Sequence, residues 1–241
     1  MRVLVRFWRD GAEAEVIEDV IRKNVPGKAS RARVRETLRR AFLPRFVHGR
    51  PPDAWRIVRP LEDVGAPREV VAPVYYWLTA RAEPLLYDFA CDFLSQQKSR
   101  GRGVVSTADA VGFVRGRLQQ TDERWSHAVT VRVARGLLAA LRDFGLLTGK
   151  VKKRLAPTYL PLDAFAHITF ALAQEGASGE RLLQHPDWRL FLLTPSEVEH
   201  LFLEAHRHHL LDYQAAGGII RIEFPIQTLV EAAHVVATRA H

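Results

Sequence analysis

The chain has 241 residues, 47% of them hydrophobic and 26% charged, and its 35 Lys+Arg against 27 Asp+Glu leave a formal net charge of +8. That length and apolar fraction suit one large or two to three small globular domains. The only cysteine, Cys91, excludes an internal disulfide and any zinc site built on cysteine pairs.

The first residues, MRVLVRFWRD, form an apolar run too short for the core of a signal peptide. Nowhere does the chain approach the roughly eighteen consecutive apolar residues of a membrane span. A cytoplasmic protein with no membrane partner is expected. Residues 12–24 carry Val16, Ile17, Val20 and Ile21 at helical spacing and close on Pro26-Gly27.

The next stretch, GKASRARVRETLRRAFLPRF, predicts a helix that Ser30 caps and Pro44 stops. Val34, Leu38, Ala41 and Phe42 form its apolar stripe, flanked by Arg35 and Arg39 on one side and Arg33 and Arg40 on the other. Residues 22–46 hold nine Lys+Arg and one acid, Glu36, a net +8. Cations in a first turn oppose the helix dipole at a cost of roughly 0.3–1 kcal/mol each when exposed. Stability therefore does not account for Arg31 and Arg33. A proline-bearing linker (Pro51, Pro52, Pro60, Pro67) follows, then helices expected over 69–81 and 84–98.

A second basic segment spans residues 98–154, with thirteen Lys+Arg and four Asp+Glu, a net +9. Both segments together reach +17, so the remainder of the chain sums to −9. Ser106 and Asp109 have capping-box spacing at the start of a helix over 106–119. A second helix, 126–144, starts at Ser126 and places Val129, Val133, Leu137, Leu141 and Phe144 on an apolar face. Arg132, Arg135 and Arg142 share a narrow arc with Ala139. Two short extended pieces around Gly149 follow, with Lys150, Lys152, Lys153 and Arg154 at the turn or just past it. Helix-turn-helix plus a basic hairpin is the winged-helix plan, which sets one helix in a DNA groove and the wing on phosphates.

Residues 155–241 reverse the charge, with five Lys+Arg, ten Asp+Glu and eight of the ten histidines. Helices are expected over 161–175, 195–210 and 226–239, the second opened by a Thr194/Glu197 capping box, and GGIIRIEFP reads as a strand. His200, His206 and His209 fall near one helical face, yet no thiol or carboxylate completes a metal spacing, so no metal is expected. The chain divides into an N-terminal helical region with a basic helix (1–68), a winged-helix-like domain (69–160) and an acidic, histidine-rich helical region (161–241).

Enzyme signatures fail on inspection. GLLTGKV has three residues between its glycines where a phosphate-binding loop has four, and Val151 stands where a Mg²⁺-binding hydroxyl belongs. His167 in HITF is half of a paired His-x-Thr arrangement with no second copy. Cys91, between Phe89 and Phe93, reads as a buried small hydrophobe rather than a nucleophile.

In that order, GKASRARVRETLRR, YYWLTARAEPLLYDF and WSHAVTVRVARGLLAALRDFGLL resemble the BrxA family of BREX phage-defence systems over about residues 20–160. The resemblance implies an all-helical fold distantly like the NusB antitermination factor, and DNA binding without known catalysis. It also implies defence-system partners, among them a methyltransferase, an ATPase and a phosphatase-like protein. Arg31, Arg33, Arg35, Arg132 and Arg135 are the cations it implicates. Residues and resemblance together lead to these expectations: a mainly α, multi-helical fold with a winged-helix-like segment and a small C-terminal β element, and a non-catalytic, cofactor-free protein that binds nucleic acid, DNA ahead of RNA. Its expected contacts are Arg31, Arg33, Arg35, Arg39, Arg40, Arg132, Arg135, Lys150, Lys152, Lys153 and Arg154. The alternatives are a scaffold that docks acidic partner proteins and, third, a nuclease or phosphodiesterase.

Overall fold

A computed structural model describes residues 1–157 and 159–239. In chain order its helices are α1 (Arg2–Phe7), α2 (Glu13–Arg22), α3 (Arg31–Thr37), α4 (Trp55–Asp63), α5 (Arg68–Ala82), α6 (Pro84–Asp88), α7 (Ser95–Ser99), α8 (Thr107–Leu118), α9 (His127–Asp143), α10 (Leu162–Gln174), α11 (Glu180–Leu183), α12 (Pro195–Arg207) and α13 (Leu229–Arg239). Strands β1 (Val104–Val105), β2 (Leu147–Thr148) and β3 (Lys153–Leu155) form one small antiparallel sheet in the order β1-β3-β2; β4 (Asp212–Ala216) and β5 (Ile219–Glu223) form a hairpin. The fold is mainly α, as the periodicities require, with GGIIRIEFP supplying β5. The chain makes two compact units: Met1–Glu83 with Pro161–Leu182 and the residues from Leu201 on, and Pro84–Leu160 with Leu183–His200.

In the first unit, two expectations are corrected. The helix expected to stop near Pro44 instead continues past α3 as a π-helix, Leu38–Val47. Proline cannot donate to the i−4 carbonyl and collides with it, and the wider π turn relieves that collision. The burial of Phe42, Phe46 and Val47 holds the chain in this course. The proline-bearing linker also contains a helix, α4, with Pro60 inside it. Trp55, Ile57, Val58 and Leu61 are buried, and this apolar face outweighs the hydrogen bond that Pro60 removes. The N-terminal apolar run is α1, with Leu4, Val5 and the following Trp8 buried. Aromatic rings link these pieces: Trp8 to Phe42 at 4.9 Å between centroids, Phe42 to Phe46 at 5.6 Å, and Phe46 to Tyr75 of α5 at 5.5 Å.

One carboxylate lies inside this packing. Glu62 of α4 is 3% exposed. It accepts from Arg2 Nε at 2.6 Å, Arg6 Nε at 2.8 Å and the Tyr75 hydroxyl at 3.1 Å, so one buried charge joins α1, α4 and α5. His167 of α10 is also buried: its Nε2 donates to the Ile57 carbonyl at 2.8 Å. Burial lowers its pKa to about 4 despite that bond.

The second unit is built around α8 and α9 with the three-stranded sheet beside them. Its core includes Phe89 against Phe93 at 4.9 Å and against Phe113 at 5.1 Å. The segment expected as one helix over 84–98 is α6, a π-helical stretch at Phe89–Leu94, and α7. Cys91 is buried and its thiol is pushed up to about 12, chiefly by burial. Its burial agrees with the small buried side chain expected at this position.

Because a buried carboxylate without countercharge is costly, Arg2→Ala combined with Arg6→Ala should lower stability by about 3–5 kcal/mol, and adding Glu62→Gln should restore part of the loss. Urea denaturation of the three variants measures this; a triple variant no more stable than the double would show that charge is not what the arginines supply. His167 titrates near 4 when folded and near 6.5 when unfolded, so the unfolded chain binds more protons between those values. Its contribution is present above about pH 6.5 and is lost as pH falls toward 4, a change of about 3 kcal/mol. The stability gap between wild type and His167→Gln should therefore narrow across that window in denaturation curves taken from pH 7 to pH 4.

Candidate nucleic-acid interface

In the first unit the basic surface grows from a local capping signal. The Ser30 hydroxyl accepts from the Arg33 N–H at 3.3 Å, and α3 starts there. Val34, Leu38 and Phe42 are buried while Ala41 is half-buried, which turns Arg31, Arg33, Arg35, Arg39 and Arg40 to solvent. Neutralisation is uneven. Arg33 meets Glu36 at 3.0 Å and Arg40 meets the same carboxylate at 3.6 Å. Arg45 is held by Glu83 at 2.9 Å, Arg22 pairs with Asp19, and Lys23 lies over the Phe7 ring at 5.1 Å. Arg31, Arg35 and Arg39 have no carboxylate partner among the described residues. Folding thus brings acids from elsewhere to some of the cations that have only Glu36 near them in sequence.

In the second unit the order is helix, connection, helix, hairpin. The Ser106 side chain accepts from the Asp109 N–H at 3.1 Å and Asp109 accepts from the Ser106 N–H at 2.8 Å, completing the expected capping box of α8. The Ser126 hydroxyl accepts from the Val129 N–H at 3.3 Å at the start of α9. The buried face of α9 is rotated from the one expected. Thr130, Ala134, Leu137, Leu138 and Leu141 are buried, whereas Val129, Val133 and Phe144 are half-buried. Thr130 and Ala134, neither of them strongly hydrophobic, are buried in this face. Arg132 and Arg135 remain fully on the solvent side.

The hairpin follows at once. Leu147 pairs with Leu155 and Thr148 with Arg154, and on the other side of β3, Val104 and Val105 pair with Arg154 and Lys153. Lys150, Lys152 and Arg154 are exposed, and Lys153 is half-buried with Nζ donating to the Lys150 carbonyl at 3.1 Å. No carboxylate partner of Arg132, Arg135, Lys150, Lys152, Lys153 or Arg154 occurs among the described residues. Three other cations of this segment have carboxylate partners: Arg117 meets Asp88 at 3.3 Å and also Asp92, Arg142 meets Asp143 at 2.8 Å, and Lys98 meets Glu197 at 3.0 Å. Arg100 and Arg102, outside the expected contacts, are also exposed. They stand just before Gly103, whose carbonyl accepts from the Leu155 N–H at 2.8 Å, so they reach the edge of the hairpin. Their alternation with glycine in RGRG is the signal that marks them.

Among the described residues no group of three or more His, Cys, Asp or Glu could hold a metal ion. His206 accepts from the Tyr213 N–H at 3.4 Å, and its Nδ1 lies 3.5 Å from Asp212. A cavity of about 520 Å³ opens in the second unit beside Trp188, Leu192, Leu193 and Val198. Its cations are already engaged, Lys98 by Glu197 and the Leu192 carbonyl, Arg189 by the Cys91 carbonyl at 2.6 Å. Thr194 and Lys98 hold the Glu197 carboxyl below its ordinary value, against a burial effect that is individually larger and opposes them. No helix is long and apolar enough to cross a membrane.

The BrxA family model matches residues 1–171, well over half the chain. The chain belongs to the BrxA family. That makes it a component of a BREX-type defence system, and the match takes in α1, both basic segments and most of α10. The histidine-rich end lies beyond the BrxA match. No curated protein and no solved structure matches the chain.

Since Arg35 and Arg39 touch solvent and Leu38 is 2% exposed, their replacement should separate binding from stability. Arg35→Ala with Arg39→Ala should leave Tm nearly unchanged while weakening duplex binding several-fold, and Leu38→Ala should cost roughly 2–5 kcal/mol. Differential scanning calorimetry beside a binding titration checks this; equal destabilisation in both variants would make the arginines structural.

Proposed function

We propose that this BrxA-family protein binds double-stranded DNA in the cytoplasm and performs no chemistry on it. The observation that carries the reading is the division of its cations. Arg31, Arg35 and Arg39 of the arginine helix and Arg132, Arg135, Lys150, Lys152 and Arg154 of α9 and the hairpin have no carboxylate partner among the described residues, while Arg45, Arg117 and Lys98 of the same segments are paired. A surface built for solubility alone mixes charges of both signs. Unpaired arginines and lysines grouped along helices and a hairpin match a polyanion, whose phosphates they neutralise as bound counterions leave.

The second unit supports a winged-helix reading of this contact. β1 lies along β3, the sheet order is β1-β3-β2, and α9 presents Arg132 and Arg135 from a helix with small residues, Gly136 and Ala139, between its charged positions. In such a mode α9 faces a groove while Lys150, Lys152, Lys153 and Arg154 hold backbone. Arg31, Arg33, Arg35, Arg39 and Arg40 give the first unit phosphate contacts of its own. The family is not known for catalysis, and the one cysteine is free and buried, which suits a reducing compartment.

The test is a titration of a labelled duplex across salt concentrations in EDTA, with RNA as competitor. About six to eight phosphate contacts should give a slope of log affinity against log salt near −5 to −7, with the duplex left uncut. Lys150→Ala with Lys152→Ala should shallow the slope by up to about two, whereas Arg132→Ala should cost roughly 1–3 kcal/mol and relax discrimination between sequences. Absence of duplex binding at low salt would replace this function with docking of acidic partner proteins.

A further inference from the structure

The β2–β3 turn carries one residue that phosphate binding does not explain. Val151 is 95% exposed, although a chain with this apolar content has a large core in which a valine could be buried. Lysines flank it directly as Lys150 and Lys152, and no acid occurs between Asp143 and Asp163. The turn that presents it is held in one shape. Gly149 has a φ of +88°, and a Cβ there would come within 2.2 Å of the Lys152 carbonyl oxygen, so only glycine permits the closure. Lys153 Nζ spans the tip to the Lys150 carbonyl at 3.1 Å, and the strands below are paired through Leu147–Leu155 and Thr148–Arg154.

We propose that Val151 is an apolar wedge for the DNA minor groove at A·T-rich steps, with Lys150 and Lys152 on the phosphates to either side. This rests on the duplex-binding function above and specifies which groove the hairpin enters. The minor groove is about 6 Å wide, enough for an isopropyl group on a narrow turn but not for a helix. Proteins that use this groove combine lysine or arginine with an apolar side chain set against or between base steps. The narrow groove of A-tracts also has the more negative potential, which favours the flanking ammonium groups. At G·C pairs the guanine N2 amino group projects into the groove as a donor. An isopropyl group pressed against it would strip its water and offer no acceptor. At A·T pairs the groove floor has no such projection. A tip that served phosphates alone would gain nothing from valine at this position.

Inosine gives the test its contrast, because inosine–cytosine pairs lack that amino group and so resemble A·T in the minor groove while keeping the major-groove face of G·C. Fluorescence anisotropy with the full chain should compare three duplexes of equal length: A·T-rich, G·C-rich, and the G·C-rich sequence with inosine in place of guanine. Wild type should bind the first and third about three- to tenfold more tightly than the second. Val151→Ser should lose most of that preference with Tm and salt slope unchanged, and Val151→Leu should retain it. Equal binding of wild type to all three duplexes overturns the wedge while leaving DNA binding intact. So does a Val151→Ser variant that keeps the preference, or an inosine duplex that behaves like its G·C parent. Failure of every duplex to bind at low salt overturns the underlying function and the wedge with it.

Discussion

The first unit depends on a charge that water cannot reach. Glu62 is buried in the α4 face, and a lone carboxylate there would be destabilising by several kcal/mol. Two arginines one helical turn apart on α1 and the hydroxyl of Tyr75 remove that penalty. The spacing of Arg2 and Arg6 is therefore a structural requirement, and it ties α1 to α4. Burial and the nearby carboxylate raise the Tyr75 pKa, which keeps its hydroxyl protonated and donating. With α1 held there, Trp8 reaches Phe42, and the aromatic contacts run on through Phe46 to Tyr75. The π-helical stretch that carries Phe42 and Phe46 is an extension of the arginine helix, so the same packing that buries its apolar stripe sets the direction of its cations.

The excess of positive charge separates into two populations with different physical roles. Arg2, Arg6, Arg45, Arg81, Arg117 and Arg239 hold the fold, each against a carboxylate from a distant part of the chain. Their hydrogen bonds are directional and join separate elements. Arg31, Arg35, Arg39, Arg132, Arg135, Lys150 and Lys152 lack such partners among the described residues and extend from helix faces and a turn. Such residues raise the self-repulsion of the folded chain, and binding a polyanion relieves it. The acidic, histidine-rich end offers no counterpart to that surface.

Features governed by short-range physics were legible in the residues. Ser30, Ser106, Ser126 and Thr194 all cap as their spacing indicates, because a cap is a contact between a side chain and backbone two or three residues away. The stripe Val34, Leu38, Phe42 and the exposed position of Arg31, Arg33, Arg35, Arg39 and Arg40 follow from 3.6-residue periodicity. The hairpin around Gly149 follows from a residue that tolerates positive φ. Helix α4 was not legible, since Pro60 and its neighbouring prolines carry a strong local signal for a break. The π extension past Pro44 was hidden in the same way.

By itself, the sequence determined the helical class, the capped starts of the basic helices and the chain segments in which cations collect, because each depends on neighbours within a turn or two. Only the tertiary structure decided which cations are neutralised, which helix face is buried in α9, and that Glu62 needs two arginines from α1. It also decided that prolines at 44 and 60 continue helices rather than end them. Those outcomes depend on partners tens of residues away and on burial free energy from packed faces, which exceeds local propensity by several-fold at such sites.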